Sequence, residues 1–269
     1  MGLVAQAQKR HDDALAYFDQ SLGLKPNNPS VLYYKATVLD ALQRRSEAIE
    51  TLTQALALMK KKPEGWQKLL DKWLRYPDYA QDPGRWWERG QAAEKEKDWA
   101  QAAAIYAEGA GKAQPPDDYR LLEREALMHR YLKEWDKAAD LYDDLVKRYP
   151  DKIDAYLGLG ETYRAQGRYE EAASWFQRAR ELFPDDYRPP YYLGVTALNA
   201  HEYDEALAYF DEALALKPGY VYAFYYKAQT LKAMGRVDEA IVALSQAIEL
   251  HPSHPESWKE QLSQWQGQH

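Results

Sequence analysis

The sequence predicts an all-α fold in which helical hairpins stack on one another as a solenoid. The first reason is that imperfect copies of one stretch, residues 153–186, account for most of the chain. The second is that apolar residues in this stretch recur at helical spacing in two runs, which Gly167 separates and Pro184 closes. Each copy therefore predicts two helices that cannot bury their apolar faces alone, and the stacking of copies completes the core.

The two runs in residues 153–186 share a recognisable skeleton. Large and small side chains alternate on one face of each predicted helix. These positions are Tyr156, Leu159, Gly160 and Tyr163, then Ala172, Phe176 and Ala179. With its period of 34 residues, the pattern resembles the tetratricopeptide repeat, whose skeleton is aromatic-x2-Leu-Gly-x2-Tyr, Ala-x3-Phe and a closing Pro. The resemblance implies a right-handed superhelix that binds proteins.

The same skeleton divides the chain in order. Gly2 and Ala5 occupy positions well inside a first helix, so we expect the natural protein to extend further N-terminal, with Met1 added. The predicted segments are a truncated first repeat (1–28), a second repeat (29–62), an extra helix and loop (63–82), the third to seventh repeats (83–118, 119–152, 153–186, 187–220 and 221–254) and a capping helix (255–269).

A longer repeat lies over the short one. Residues 12–73 match residues 204–265 at a constant offset, including Tyr-Tyr-Lys-Ala and a Pro-Glu-x-Trp helix start in both. Duplication of two hairpins with their terminal helix explains this match. The segment 63–82 is therefore interpreted as a former cap that became internal and acts as a kink or hinge.

Composition limits the partners and the compartment. The net charge is −7 and the pI is near 5.5 without a dense basic block, which disfavours nucleic acid. The chain has no cysteine, which removes disulfides and thiolate chemistry. The sequence contains no apolar run of the length and position expected for a membrane span or a signal peptide. Composition does not determine the cellular compartment, and the cytoplasm is slightly favoured.

Candidate binding residues come from one arc of each first helix. The second, fifth, ninth and twelfth positions of the repeat lie away from the core-facing arc. In the family that the chain resembles, this arc lines the concave groove that binds peptides. The middle repeats present mixed charges there, and the second, sixth and seventh present tyrosines, which are enriched at interfaces. The candidates are Tyr33, Trp87, Arg120, Glu123, Glu161, Arg188, Tyr191, Tyr222, Tyr225 and Gln229.

Other aromatic residues are expected to be structural. Three tyrosines next to the groove arc, Tyr34, Tyr192 and Tyr226, are predicted to pack between repeats. Most tryptophans fall at core-facing positions: Trp66, Trp73, Trp86, Trp258 and Trp265.

Catalytic patterns are not found. The histidines are scattered, and no nucleophile-elbow, zinc-protease or phosphate-loop sequence occurs. The pairs Asp117-Asp118 and Asp185-Asp186 precede helix starts, where carboxylates satisfy free amides. The sequence therefore predicts no enzyme, no cofactor and no metal site. It also lacks the Lys and Asn clamp with which chaperone-binding members of the family hold a terminal carboxylate.

The sequence leaves three functional hypotheses. The first is a non-catalytic scaffold that binds a peptide or protein segment in a tyrosine-lined concave groove. The second is a regulatory or targeting region of a larger protein with a catalytic or membrane-anchored part. The third is a module that self-associates into a homo-oligomer.

Overall fold

The helices follow the repeat pattern closely. A computed structural model describes residues 1–78, 82–251 and 256–267, and within these ranges the chain forms sixteen helices and no strand. They are α1 (Gly2–Ala7), α2 (His11–Leu24), α3 (Pro29–Ala41), α4 (Arg45–Ala57), α5 (Glu64–Arg75), α6 (Pro83–Lys95), α7 (Trp99–Lys112), α8 (Tyr119–Tyr131), α9 (Trp135–Arg148), α10 (Ile153–Ala165), α11 (Tyr169–Leu182), α12 (Arg188–Asn199), α13 (Tyr203–Leu216), α14 (Val221–Ala233), α15 (Val237–Leu250) and α16 (Glu256–Gln266). The predicted all-α fold is confirmed.

The hairpin α10–α11 shows why the skeleton needs a glycine. Phe176 of α11 is fully buried against α10, and burial of such a ring contributes about 2 to 3 kcal/mol. A Cβ atom on Gly160 would lie 2.5 Å from this ring, so a larger residue at position 160 would force the helices apart. Gly194 meets Phe210 in the same way in α12–α13.

The turn inside each described hairpin uses one left-handed residue, two positions after the first helix ends. Gly167 and Gly235 serve in α10–α11 and α14–α15, each with φ of 76°. Glycine takes this conformation without steric cost, whereas other residues do not. The other turns use non-glycine residues, namely Lys9, Gln43, Lys97, Lys133 and His201.

The chain divides into two compact units. Unit 1 comprises Met1–Arg89 and Glu108–Asp118, and unit 2 comprises Gly90–Ala107 and Tyr119–His269. In unit 1, helices α1 to α5 each pack on the next one. In unit 2, helices α8 to α16 do the same, and the first helices α8, α10, α12 and α14 also contact one another in turn. The first helices of unit 2 therefore form one row.

The terminal helix α16 has the two faces expected of a cap. Trp258 and Trp265 are buried against the last hairpin, and the predicted polar face is exposed, with Lys259, Glu260, Ser263 and Gln264. The predicted start of this helix at residue 255, the end of the seventh repeat at residues 252–254, part of the loop in 63–82 (79–81) and the last two residues lie outside the described ranges.

Candidate functional site

The row of first helices in unit 2 brings the groove-arc residues of successive repeats together. We call this surface the first-helix face and define it as the groove-arc side chains of α8, α10, α12 and α14 with their immediate neighbours. Arg130 Nη2 of α8 lies 2.8 Å from Glu161 Oε2 of α10. Arg188 Nη1 of α12 donates to Asp154 Oδ1 of α10 at 2.6 Å. The predicted positions thus form one continuous surface across neighbouring repeats.

The charged part of this face is built from arginine and carboxylate pairs. Arg188 donates hydrogen bonds to Asp154 and Asp186. The bonds that it donates to Asp186, together with the negative charges of both carboxylates, raise the pKa of Arg188. The Arg188 amide donates to Asp186 Oδ1 at 2.9 Å, so Asp186 satisfies a free amide at the start of α12. This contact confirms the helix-start role predicted for this aspartate.

Glu123 and Arg120 lie nearby on α8. Arg120 is exposed and Glu123 is half-buried. Burial raises the pKa of Glu123, the charge of Asp154 raises it further, and Arg124 and Arg120 oppose this. The raised pKa means that the surroundings of Glu123 disfavour its ionised form. The two arginines therefore do not fully compensate for the burial of this carboxylate.

A carboxylate next to the face, Glu94 of α6, is fully paired. Arg124 of α8 makes a two-pronged contact with Glu94 of α6, and the Tyr106 hydroxyl donates to the same carboxylate. Burial and this carboxylate together raise the pKa of Tyr106. The Glu94 group is therefore a structural link between repeats.

The tyrosine part of the face is a cluster of rings around Tyr220. Tyr191 packs edge-on against Tyr220 with centroids 5.0 Å apart, and Tyr220 packs against Tyr187 at 4.6 Å and Tyr222 at 5.9 Å. Tyr222 is 47% exposed, whereas burial raises the pKa of Tyr191 well above its usual range. Lys217 Nζ lies 4.1 Å from the centre of the Tyr187 ring. We call Tyr187, Tyr191, Tyr220 and Tyr222 the tyrosine ladder.

The three neighbouring tyrosines pack between repeats as predicted. Each stacks on a phenylalanine of the preceding second helix: Tyr34 on Phe18 at 6.2 Å, Tyr192 on Phe176 at 5.2 Å and Tyr226 on Phe210 at 6.3 Å. Aromatic pairs in this range add about 0.5 to 1.5 kcal/mol beyond area burial. Their role is the coupling of one hairpin to the next.

Two other predicted site residues are covered by a terminal helix. Tyr225 stacks on Trp258 of α16 with centroids 4.6 Å apart, and Gln229 exchanges amide hydrogen bonds with Gln261 of the same helix. In unit 1, Tyr33 stacks on Trp66 of α5 at 4.3 Å. The faces of these rings already have a partner within the chain.

The remaining predicted residue, Trp87, is half-buried and belongs to unit 1. The structure therefore brings Arg120, Glu123, Glu161, Arg188, Tyr191 and Tyr222 together on one face of unit 2. Tyr225 and Gln229 lie at the end of that face beneath α16. Tyr33 and Trp87 belong to the other unit.

Arg130 and Arg164, at the twelfth position of the predicted groove arc, flank Glu161. The sequence-based candidates omitted Tyr187 and Tyr220, which supply half of the tyrosine ladder. Both tyrosines stand immediately before a first helix, outside the helical arc that was used to choose candidates. The signal that could have found them is their spacing of about one repeat.

Two family models described as tetratricopeptide repeat match the chain. One covers residues 123–187, and the other matches twice, over residues 5–72 and 197–262. The double match falls on the two halves of the long internal repeat. In the described ranges, no helix has the length and apolar character needed to cross a bilayer.

Curated relatives match a shorter part of the chain. ER membrane protein complex subunit 2-A of Xenopus laevis is 34% identical over 79 residues, and subunit 2 of Xenopus tropicalis is 33% identical over the same length. The match covers 29% of this chain and 27% of each relative.

Two solved structures share the fold. A tetratricopeptide repeat protein from Parabacteroides merdae has a TM-score of 0.58 at 14% identity and covers 98% of this chain and 96% of its own. A thermophilic TPR protein from Thermus thermophilus has a TM-score of 0.57 at 22% identity and covers 68% and 98%. At these identities, the similarity establishes the architecture alone.

Proposed function

The chain belongs to the tetratricopeptide repeat family, and on that premise we propose that it is a non-catalytic scaffold that binds a peptide or protein segment on the first-helix face of unit 2. The observation that carries this proposal is the tyrosine ladder, in which the rings of Tyr187, Tyr191 and Tyr222 all contact Tyr220 and the ring of Tyr222 is exposed. Aromatic side chains that are held by neighbours lose little entropy when a partner covers them.

The proposed recognition divides along the face. The tyrosine ladder buries apolar area of the partner and offers hydroxyl groups for hydrogen bonds. The charged part of α8 and α10 sets the register through Arg120, Glu123 and Glu161, with Arg188 between the two parts. Tyr225 and Gln229 contribute at the edge that α16 leaves open.

Tyr33 and Trp87 would form a smaller contact region of unit 1. The ring of Tyr33 is stacked on Trp66, so a partner would reach it only at its edge. We therefore assign the main anchoring role to unit 2.

A second candidate is self-association into a homo-oligomer. The ring of Tyr222, which is 47% exposed beside Tyr220, would be covered by a second copy of the chain. Light scattering at two concentrations tests it, and a constant mass would contradict it.

The hypothesis of a regulatory region within a larger protein is compatible with the same binding face. The curated relatives are named as subunits of a protein complex, which agrees with a role in assembly. The chain spans about a quarter of their length in the matched part, so their partners are not transferred to it.

The scaffold proposal is tested by capture from the source lysate. We expect Tyr187→Ala/Tyr222→Ala to lose a partner that the wild-type chain retains, because the ladder loses its outer rings. The matched control is Tyr17→Ala/Tyr131→Ala, which removes rings that are 41% and 54% exposed elsewhere. Equal retention by both variants, after circular dichroism shows that they are folded, would contradict the proposed face.

A further inference from the structure

The centre of the first-helix face holds two arginines and one carboxylate between them. Arg130 Nη2 lies 2.8 Å from Glu161 Oε2, and Arg164 Nη2 lies 3.5 Å from Glu161 Oε1. The side chain of Arg130 is 16% exposed, that of Arg164 is 25% exposed and that of Glu161 is 21% exposed. One carboxylate therefore serves two partly desolvated guanidinium groups from neighbouring repeats.

The donors at this centre exceed the acceptors. A guanidinium group offers five N–H donors, and a carboxylate has two oxygens. Arg130 also meets the Tyr142 side chain, yet its Nε and the Nε of Arg164 are buried without a hydrogen-bond partner. Two guanidinium groups against one carboxylate leave this centre with a net positive charge, which favours an additional anion.

The charge of the surrounding face contrasts with that of the whole chain. The chain carries −7, whereas cations outnumber carboxylates on this face. The cations are Arg120, Arg124, Arg130, Arg164, Arg188 and Lys232, and the carboxylates on or next to the face are Glu94, Glu123, Asp154, Glu161 and Asp186. A surface of the opposite sign to its surroundings attracts a partner of matching charge and orients it.

The cationic centre adjoins the aromatic surface. The charge of Arg164 acts on both Tyr191 and Tyr192, and burial raises the pKa of Tyr192 to about 12. A segment that places a carboxylate at the arginines therefore has its neighbouring residues beside the tyrosine ladder.

We infer that the first-helix face selects an acidic linear segment, with one of its Asp or Glu side chains bound between Arg130 and Arg164. This inference rests on the proposed function, because it names the chemistry of the partner on the same face. Arginine suits this role since its planar group is weakly hydrated and meets a carboxylate with two parallel hydrogen bonds. Glu161 then acts as an internal competitor for the incoming carboxylate.

The test uses a phage-displayed library of random linear peptides, selected on the whole chain. We expect enrichment of Asp and Glu in the selected peptides. Replacement of their acidic residues by Asn or Gln should weaken binding about tenfold, the size of a lost charge-assisted hydrogen bond.

Three protein variants locate the contact. Arg130→Gln/Arg164→Gln should weaken the acidic peptides about tenfold. Arg168→Gln/Arg236→Gln, which removes the same charge from exposed pairs with Glu171 and Glu239, should leave them unchanged. Glu161→Gln should strengthen them because it removes the competitor, and this opposite direction guards against a loss that reflects misfolding.

The outcomes separate this inference from the proposed function. Peptides that are basic or neutral, or that ignore the Arg130 and Arg164 substitutions yet are lost on Tyr187→Ala/Tyr222→Ala, overturn the acidic segment and leave the proposed face intact. Equal weakening by both arginine pairs shows general charge attraction and also overturns it. Peptides insensitive to every variant, or no selected peptide, overturn both.

Discussion

The two halves of the long repeat share a hairpin stack but differ in how each stack connects to the rest of the chain. In residues 12–73 and 204–265, equivalent rings stack in the same way: Tyr33 on Trp66 and Tyr225 on Trp258. The seventh residues of α3 and α14, Lys35 and Lys227, pair with Asp19 and Asp211 of the preceding second helices. The same sequence block therefore reproduces the same contacts in two units.

The difference lies at one buried arginine. Arg45 begins α4 and is 2% exposed, whereas its equivalent at the start of α15 is Val237. Arg45 pairs with Asp40, donates to the Tyr76 carbonyl at 3.0 Å, and donates to Asp82 Oδ2 at 2.8 Å. It thereby connects the block to the segment after α5. The C-terminal block ends in a cap and has no such connection among its described residues.

The carboxylates around Arg45 respond differently to it. Burial raises the pKa of Asp40 more than Arg45 lowers it. At Asp82, burial acts in the same upward direction, but hydrogen bonds from Arg45 and the Gly84 amide outweigh it and lower the pKa. Asp82 is thus better compensated than Asp40, because the Gly84 amide and Lys72 act on it together with Arg45.

Replacement of Arg45 should lower the free energy of unfolding more than any other substitution considered for the two blocks. Arg45→Met leaves Asp40 and Asp82 poorly compensated, and loss of one partner of a buried pair costs about 3 to 5 kcal/mol. Urea denaturation measures the change in the free energy of unfolding. The control Val237→Met should change it by less than about 1.5 kcal/mol, and Arg45→Met/Asp40→Asn/Asp82→Asn should recover most of the loss. Equal effects of Arg45→Met and Val237→Met would contradict the assignment.

The two stacked tryptophans should differ in proportion to their burial. Trp258 is 6% exposed, and Trp66 is half-buried. Trp258→Ala should therefore cost about 3 kcal/mol, and Trp66→Ala about half of that. Thermal unfolding of both variants checks the order, with the two Trp→Phe variants as controls that keep an aromatic partner for each tyrosine. A larger loss at Trp66 would show that α5 contributes more to its unit than α16 does.

The repeat that begins with α8 differs from both blocks at the seventh residue of its first helix. This residue is Glu125, where the two blocks have Lys35 and Lys227, and burial raises the pKa of Glu125 from 4.5 to about 7. His129 Nε2 lies 3.9 Å from this carboxyl, and His129 Nδ1 lies 2.6 Å from Glu134. The raised pKa means that the folded chain favours protonated Glu125. The contribution of this group to folding stability is therefore fully present below pH 4.5 and is lost as the pH rises through about 7.

The Glu125→Gln variant should abolish this pH dependence. Relative to the variant, the wild-type chain should lose about 1 to 3 kcal/mol of unfolding free energy between acidic and slightly alkaline pH. Denaturation at a series of pH values measures it. Glu170→Gln, at an exposed carboxyl of α11, is the matched control. Parallel pH profiles for wild type and Glu125→Gln would refute the assignment.

The smallest expected effect is an exchange at the hairpin turns. Gln43 and Gly235 are equivalent residues of the two blocks, and both are left-handed, with φ of 61° and 76°. Gly235→Gln should destabilise the chain by about 1 kcal/mol, and Gln43→Gly should stabilise it by a similar amount. Differential scanning calorimetry compares the two variants. Shifts of the same sign would show that the turn conformation is not what distinguishes them.

The sequence predicted the contacts that recur with the repeat. The helix pairs, the buried tryptophans and the three tyrosine stacks follow from a fixed spacing, because each position meets the same neighbour in every repeat. The covering of Tyr33 and Tyr225 could not be predicted from a single helical arc. That arc separates core from surface within one hairpin, but it does not show which side chain of the next helix will lie over it.

The Arg45 contacts lay beyond prediction for a different reason. Its partners Tyr76 and Asp82 are 31 and 37 residues away, at the end of α5 and directly before α6. No period relates them to the arginine. The tyrosine ladder shows the same limit, since Tyr187 and Tyr220 precede their helices and take their positions from the turns.

The central claim is that a partner lies on the first-helix face of unit 2, and cysteine footprinting tests it most directly. The chain has no cysteine, so Tyr222→Cys on α14 and Val242→Cys on α15 each introduce a single thiol at positions 47% and 59% exposed in one hairpin. Labelling rates are compared with and without a peptide from the library selection, at peptide concentrations that a titration shows to saturate each variant. We predict protection of the thiol at position 222 alone. Protection at position 242, with position 222 still reactive, would contradict the account.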